Sequence, residues 1–215
     1  MNRQYCSYID PNVIACKRVM DMVLSSVGLL LFMPLLPFIA LAIKLDSKGP
    51  VFFHQTRIGR TEGDHTHLFN MIKLRTMVND AERKTGAVWA VKNDPRITSV
   101  GMFLRKTRLD EFPQLINVLM GDMSIIGPRP ERPGLYGKLE KEIPYFAERT
   151  YNVVPGITGL AQVSQGYDTC IEDVRSKLTF DHSYALNLTS ITLWLKMDLF
   201  ISIKTLRIMV TAQGQ

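Results

Sequence analysis

The sequence predicts an α+β protein: a small cytosolic α/β domain with a β-hairpin and amphipathic interfacial helices, carried on an apolar segment that enters a membrane. Three observations predict it. Residues 22–43 form an uncharged apolar run, and residues 51–77 hold two β-forming stretches around a polar turn. Apolar residues then recur at helical spacing over 110–120 and 187–210.

The apolar run, MVLSSVGLLLFMPLLPFIALAI, is flanked by Lys17, Arg18 and Asp21 on one side and by Lys44 and Lys48 on the other. As one straight helix it would rise about 33 Å, enough for a hydrocarbon core of roughly 30 Å. Pro34 and Pro37 interrupt it, each removing a hydrogen bond and clashing with the preceding turn. The cations at both ends give no preference for opposite sides of a bilayer. A re-entrant helix–break–helix and a kinked spanning helix both satisfy these facts, because prolines are tolerated in membrane helices. A cleaved signal peptide does not, since about twenty largely polar residues precede the run. Residues 1–48 are therefore read as an N-terminal membrane segment and 49–215 as one catalytic domain with C-terminal amphipathic helices.

Lys and Arg exceed Asp and Glu by six among 215 residues, a balance that suits an anionic partner: phosphate, nucleic acid or an acidic membrane surface. Cys6, Cys16 and Cys170 make neither a paired framework nor a metal-ligand spacing, which implies free thiols in a reducing compartment. His65 and His67 read as part of a solvated polar turn.

Val51 to Ile58 reads as a strand, Thr61 to Thr66 as a polar turn and His67 to Met77 as a second strand, with Arg57, Arg60, Lys73 and Arg75 near the hairpin ends. A helix is expected from Val78 to about Lys84, then a loop through Asn93-Asp94-Pro95. Leu115, Ile116, Leu119 and Met120 predict a helix from Asp110 to Met120, ended by Gly121, with Pro113 harmlessly in its first turn. Asp110 and Glu111 then sit at a helix N-terminus, where free N–H groups, the macrodipole and nearby Arg105, Lys106 and Arg108 favour an ionised carboxylate. Such an aspartate can serve as a phosphoryl nucleophile or a Mg²⁺ ligand, although plain capping explains most acidic pairs at helix starts.

Gly127-Pro128-Arg129-Pro130 is a stiff turn that fixes one guanidinium, a geometry suited to phosphate oxygens. Val154-Pro155-Gly156-Ile157-Thr158-Gly159 has glycines that permit close backbone approach to a ligand. Asn187 to Val210 reads as an amphipathic helix, lying at a membrane interface or packing on the core.

The segments KRVMDMVLS (17–25), GPVFFHQTRIGR (49–60), IKLRTM (72–77), FLRKTRLDEFPQLINVLMGDMSIIGPRP (103–130) and VPGITGLAQV (154–163) stand in order. Together they resemble the bacterial sugar transferases, or monotopic phosphoglycosyl transferases, from about Lys17 to the C-terminus. The resemblance implies a re-entrant helix over about 18–45, broken near Pro34. It also implies transfer of a hexose-1-phosphate from a UDP-sugar to undecaprenyl phosphate, with release of UMP through a covalent aspartyl-phosphosugar. Asp110 and Glu111 match the family's catalytic dyad, Arg129 its phosphate-gripping arginine, Arg105 and Lys73 cationic positions near the site, and Asp181 a supporting aspartate. Mg²⁺ is the implied cofactor, with Asp110 as a ligand. The implied place is the cytoplasmic face of a bacterial inner membrane, at the start of exopolysaccharide, capsule or O-antigen assembly.

Two departures from the family pattern stand out. Met33 precedes Pro34 where a serine is usual, and Leu160 replaces a tryptophan. Pro128 to Pro133 resembles exopolysaccharide-initiating members, which implies glucose- or galactose-1-phosphate. The expected partners are donor, lipid acceptor and membrane lipid, with no nucleic acid; homodimerisation is left open. The alternative is a membrane-anchored basic module binding nucleic acid or acidic lipid without catalysis. It predicts aromatics interleaved with cations, whereas these cations cluster around carboxylates and stiff turns. A Mg²⁺-dependent phosphatase or single-displacement transferase is a third reading, set apart by the lack of a trapped covalent intermediate.

Overall fold

The computed structural model describes residues 8–63, 65–81, 94–165 and 171–211. Asp10 caps the first helix, α1 (Pro11–Phe32), by accepting from the Asn12 N–H at 2.8 Å, and Pro11 occupies a first-turn position where no N–H bond is lost. The helix thus starts at Pro11, not near residue 18. Met33, Pro34 and Leu35 separate it from α2 (Leu36–Asp46), and the pair bends by 64°. Among the described residues no single helix is long and apolar enough to cross a membrane; the bent pair is, by length and composition. Large apolar side chains lie open along it, including Phe38 (74% exposed) and Leu45 (79%).

The first half of α1 is built into the domain. Val13 is fully buried, Lys17 pairs with Asp198 at 3.1 Å, and Asp21 accepts the Ile125 N–H at 3.0 Å. Arg18 donates to the carbonyls of Val118 and Leu119, at the far end of a later helix. The end of α2 is anchored as well. Arg75, buried, donates to the carbonyls of Ile43, Ser47 and Lys48, satisfying acceptors left over at a helix C-terminus.

Strands β1 (Phe52–Glu62) and β2 (His65–Leu74) pair antiparallel, with Phe52 opposite Leu74 and Glu62 opposite His65. The expected turn over 61–66 is therefore tighter than the sequence implied. Thr61 and Thr66 face each other across the ladder with hydroxyls 3.2 Å apart, and Gly63 turns the chain at φ +58°. The strand expected to reach Met77 ends at Leu74. The helix expected from Val78 falls partly outside the described residues; Asn79 to Ala81 form a turn.

Helix α3 (Ser99–Thr107), capped by the Thr98 hydroxyl, leads into a 3₁₀ turn (Leu109–Glu111) and then α4 (Gln114–Met120). The single helix expected from Asp110 is thus two pieces. Pro113 has no N–H to offer the Leu109 carbonyl, which instead accepts from Phe112 at 3.3 Å, and the turn tightens. Beyond α4, β3 (Ser124–Ile126) pairs in parallel with β4 (Gly156–Thr158), two strands too short for periodicity to reveal. Between them lie α5 (Pro133–Glu142) and a 3₁₀ turn (Phe146–Thr150). After β4 come α6 (Leu160–Ser164), α7 (Ile171–Asn187) and α8 (Ile191–Val210).

The largest core cluster joins Val13, Ile126, Val153, Leu160, Tyr184, Trp194 and Ile201, so α1, β3, the segment before β4, α6, α7 and α8 meet there. A second links the bent α1–α2 pair to the domain through Phe32, Ile43, Leu74 and Leu104, with Phe32 stacked on Phe112 at 4.9 Å between centroids. Of the two expectations for the last helix, the packing on the core is met along one face. Trp194, Asp198 and Ile201 of α8 are buried, while Leu199, Phe200, Ile203 and Leu206 are exposed.

Candidate active site

A cavity of about 910 Å³ opens between the hairpin, α3, the 3₁₀ turn at Leu109–Glu111, the stiff Pro-Arg-Pro turn, α6 and α7. Asp110, Glu111, Lys73, Arg105, Arg129 and Asp181 all line it. Six positions spread over 109 residues of sequence thus share one chamber. Arg60 does not take part; it pairs with Glu62 on the hairpin. His67 lies 3.6 Å from the same glutamate and is exposed.

The two dyad carboxylates have unlike surroundings. Glu111 is held by Lys73 at 3.0 Å, Arg129 at 3.5 Å and Arg108 at 3.6 Å. Burial alone would raise its carboxyl, but the charges of Lys73, Arg129 and Arg108 and the Lys73 hydrogen bond outweigh that and hold it far below the usual range. Asp110 is equally buried, yet its Oδ1 has no hydrogen-bond partner. Burial, then the negative charge of Glu111, raise its carboxyl from 3.8 to about 6, against the pull of Lys73, Arg105 and Arg129. The expectation that the helix start would depress Asp110 is corrected. The turn there is 3₁₀ and short, and the cations that lie nearby close on Glu111 instead. Lys73 itself is lowered by burial, with Glu111 acting in the opposite direction.

Arg129 is positioned by residues that sequence reasoning missed. Arg149 reaches from the 3₁₀ turn at Phe146–Thr150 to donate to the Arg129 carbonyl at 2.7 Å and to Asp181 at 2.9 Å. Asp181 on α7 therefore acts on the site through Arg149 and not by touching the dyad. Burial raises its carboxyl, with Arg149 opposing. On the other flank Arg57 donates to the Pro130 carbonyl at 3.0 Å, and burial followed by the charge of Arg129 lowers it to about 10. Arg57 stands out in the sequence only as a cation near a hairpin end, and no motif marks Arg149.

The glycines of the second turn serve a different approach from the one expected. A Cβ on Gly156 would stand 2.1 Å from the Gly127 nitrogen, and one on Gly127 would stand 2.5 Å from the Val154 carbonyl oxygen. Backbone meets backbone here, and the Gly127 N–H donates to the Thr158 carbonyl at 2.9 Å. Close packing of the two turns fixes the base of Arg129.

A model of the bacterial sugar transferase family matches residues 12–212. The chain belongs to that family. The chain is 42% identical over 198 residues to an Aeromonas hydrophila protein named UDP-N-acetylgalactosamine-undecaprenyl-phosphate N-acetylgalactosaminephosphotransferase, covering 92% of this chain and 44% of that one. It is 41% identical over 200 residues to a Caulobacter vibrioides protein named UDP-glucose:undecaprenyl-phosphate glucose-1-phosphate transferase, covering 92% and 71%. An Escherichia coli protein of the same name is 43% identical over 170 residues, covering 78% and 35%. The chain thus spans less than half the length of the Aeromonas and Escherichia relatives.

Proposed function

We propose that this chain transfers a sugar-1-phosphate from a UDP-sugar to undecaprenyl phosphate. The observation that carries the reading is the pair of adjacent buried carboxylates in unlike states: Glu111 clamped by three cations, Asp110 with an unpaired oxygen in a cation-lined chamber. A bound anion would meet Arg105 and Arg129 on the same walls. The relatives' names support donor and acceptor. Those naming UDP-glucose and UDP-N-acetylgalactosamine match at 41% and 42%, so the proposal is made for the UDP-sugar class and not for one hexose.

In the proposed chemistry an Asp110 oxygen attacks the β-phosphorus of the donor. The bond from that phosphorus to the bridging oxygen breaks, UMP leaves with the bond's electrons, and the sugar phosphate stays on the carboxylate. An oxygen of the lipid phosphate then attacks the same phosphorus, the aspartyl bond breaks, and Asp110 returns to its free carboxylate. Glu111, held ionised, keeps Lys73, Arg108 and Arg129 gathered about the chamber. Among the described residues no group of three His, Cys, Asp or Glu comes together as a metal site. The residues nevertheless fit Mg²⁺, an ion commonly held by one or two carboxylates plus substrate phosphates: the unpaired Asp110 Oδ1 would hold it. When bound, Mg²⁺ would offset diphosphate charge.

We also propose that α1 and α2 form a re-entrant membrane helix pair. From Met22 to Phe32 α1 rises about 16 Å, roughly half of a hydrocarbon core of about 30 Å. The support is that both ends are anchored on one domain, α1 through Arg18 and Asp21 and α2 through Arg75. A spanning helix would part those ends by the bilayer.

Purified protein in detergent should release UMP from a UDP-sugar in turnover amounts only when undecaprenyl phosphate is present, and at most one equivalent of UMP without it. Without acceptor it should form one phosphosugar adduct, mapped by mass spectrometry to Asp110. Catalytic UMP release from Asp110→Asn protein would overturn the reading.

A further inference from the structure

A second cavity, of about 170 Å³, adjoins the first. Arg108, Glu111, Gln162, Val163 and Ile208 line both. The remaining wall is nearly all apolar: Phe112, Leu115, Ile125, Ile157 and Met209, with Thr158 and Thr205 bonded to each other at 2.8 Å. Unlike the large chamber, it has charged groups only at the shared end.

We propose that this small cavity holds the lipid-proximal isoprene units of the polyprenyl phosphate acceptor, with Arg108 at its mouth receiving the acceptor's phosphate. The inference rests on the transferase reading and adds where the lipid lies. Three observations carry it. The apolar cavity ends at Arg108 and Glu111, so a molecule with a hydrocarbon tail and an anionic head placed there sets its head against the dyad. Two helices that wall it also carry exposed apolar side chains: Ile116 and Met120 on α4, Leu206 and Val210 on α8. Those side chains suit a bilayer surface from which such a tail would come. At the junction of the cavities Gln162 donates to the Ile157 carbonyl at 2.9 Å, while its Oε1 is buried and met by no donor among the described residues.

Charge and size agree with this occupant. The volume is about six times the ~30 Å³ share of a liquid water, room for a short hydrocarbon segment and not for a nucleotide or a whole lipid. Arg108 is also held in an unusual conformation. Its φ is +58°, rare for a side-chain-bearing residue, and the bend aims the chain from α3 into the dyad turn. Its guanidinium stands 3.6 Å from Glu111, too long for a committed hydrogen bond, so it is available to a second anion.

Two measurements test this on the full-length protein in detergent or nanodiscs. Undecaprenyl phosphate carrying a photoreactive diazirine in its phosphate-proximal isoprene is irradiated with the protein, and the adduct is mapped by peptide mass spectrometry. Labelling of Leu115, Ile157, Thr205 or Met209 is expected; labelling confined to other segments overturns the proposal. Steady-state UMP release is then compared for Thr205→Phe and Met209→Trp, which fill the cavity from α8 outside the large chamber. An acceptor KM raised at least ten-fold with donor KM within two-fold is expected. An unchanged acceptor KM in both variants, or an equal rise in both constants, overturns it. Labelling does not require turnover, so protein that labels at these residues but releases no UMP from any UDP-sugar would sink the transferase reading and leave the lipid site standing.

Discussion

Asp110→Asn should make the metal-free protein more stable at neutral pH while abolishing transfer. Burial and the charge of Glu111 raise the Asp110 carboxyl from 3.8 to about 6. A carboxyl raised on folding binds its proton more tightly in the native state, so its ionisation opposes folding. The cost is absent below about pH 3.8, grows between the two values and is complete above about 6. With 1.36 kcal/mol for each ten-fold change, the full cost is about 3 kcal/mol. Asparagine keeps the shape and removes the charge, but its amide donors find cations nearby, so about 2 kcal/mol of that should appear. For a chain of this size that is roughly 4–8 °C in melting temperature. The assay is thermal unfolding of both proteins in one detergent with EDTA, at pH 7.5, 5 and 4. The advantage of the variant should fall to well under half by pH 5 and be gone by pH 4. A variant destabilised at pH 7.5, or a gain that does not change with pH, would refute the reasoning. Added Mg²⁺ should raise the wild-type melting temperature and leave the variant's unmoved, a readout of the proposed ligand that does not depend on turnover.

The same titration predicts that kcat/KM for the donor falls about ten-fold for each pH step below about 6, as the free enzyme's Asp110 takes up a proton; a flat profile from pH 5 to 8 would contradict the nucleophile assignment. Arg149→Met leaves Asp181 charged and buried, and should cost about 3–5 kcal/mol in denaturant unfolding. Pairing it with Asp181→Leu should recover much of that stability without restoring donor affinity, because the Arg129 carbonyl stays unbraced. Gly156→Ala forces a methyl against the Gly127 backbone and should cost about 1–3 kcal/mol with a raised donor KM; wild-type values for both would show that the two turns are looser than their spacing implies.

The sequence alone determined the parts whose signal is local or whose motif order is distinctive. An uncharged run of 22 residues, from Met22 to Ile43, with two internal prolines demanded a broken apolar helix, and β-forming stretches on either side of Gly63 demanded a hairpin. The Asp-Glu pair, the Pro-Arg-Pro turn and the order of the motifs pointed to phosphate chemistry and to the family. Tertiary structure decided which carboxylate is clamped, because that depends on Lys73, Arg108 and Arg129 arriving from three separate segments. It also decided that Asp181 works through Arg149, that two turns 29 residues apart meet glycine to glycine at Gly127 and Gly156, and that β3 pairs with β4. None of these leaves a periodic trace. Each is a long-range contact whose energy exists only after the chain has closed on itself, so composition, spacing and propensity carry no record of it.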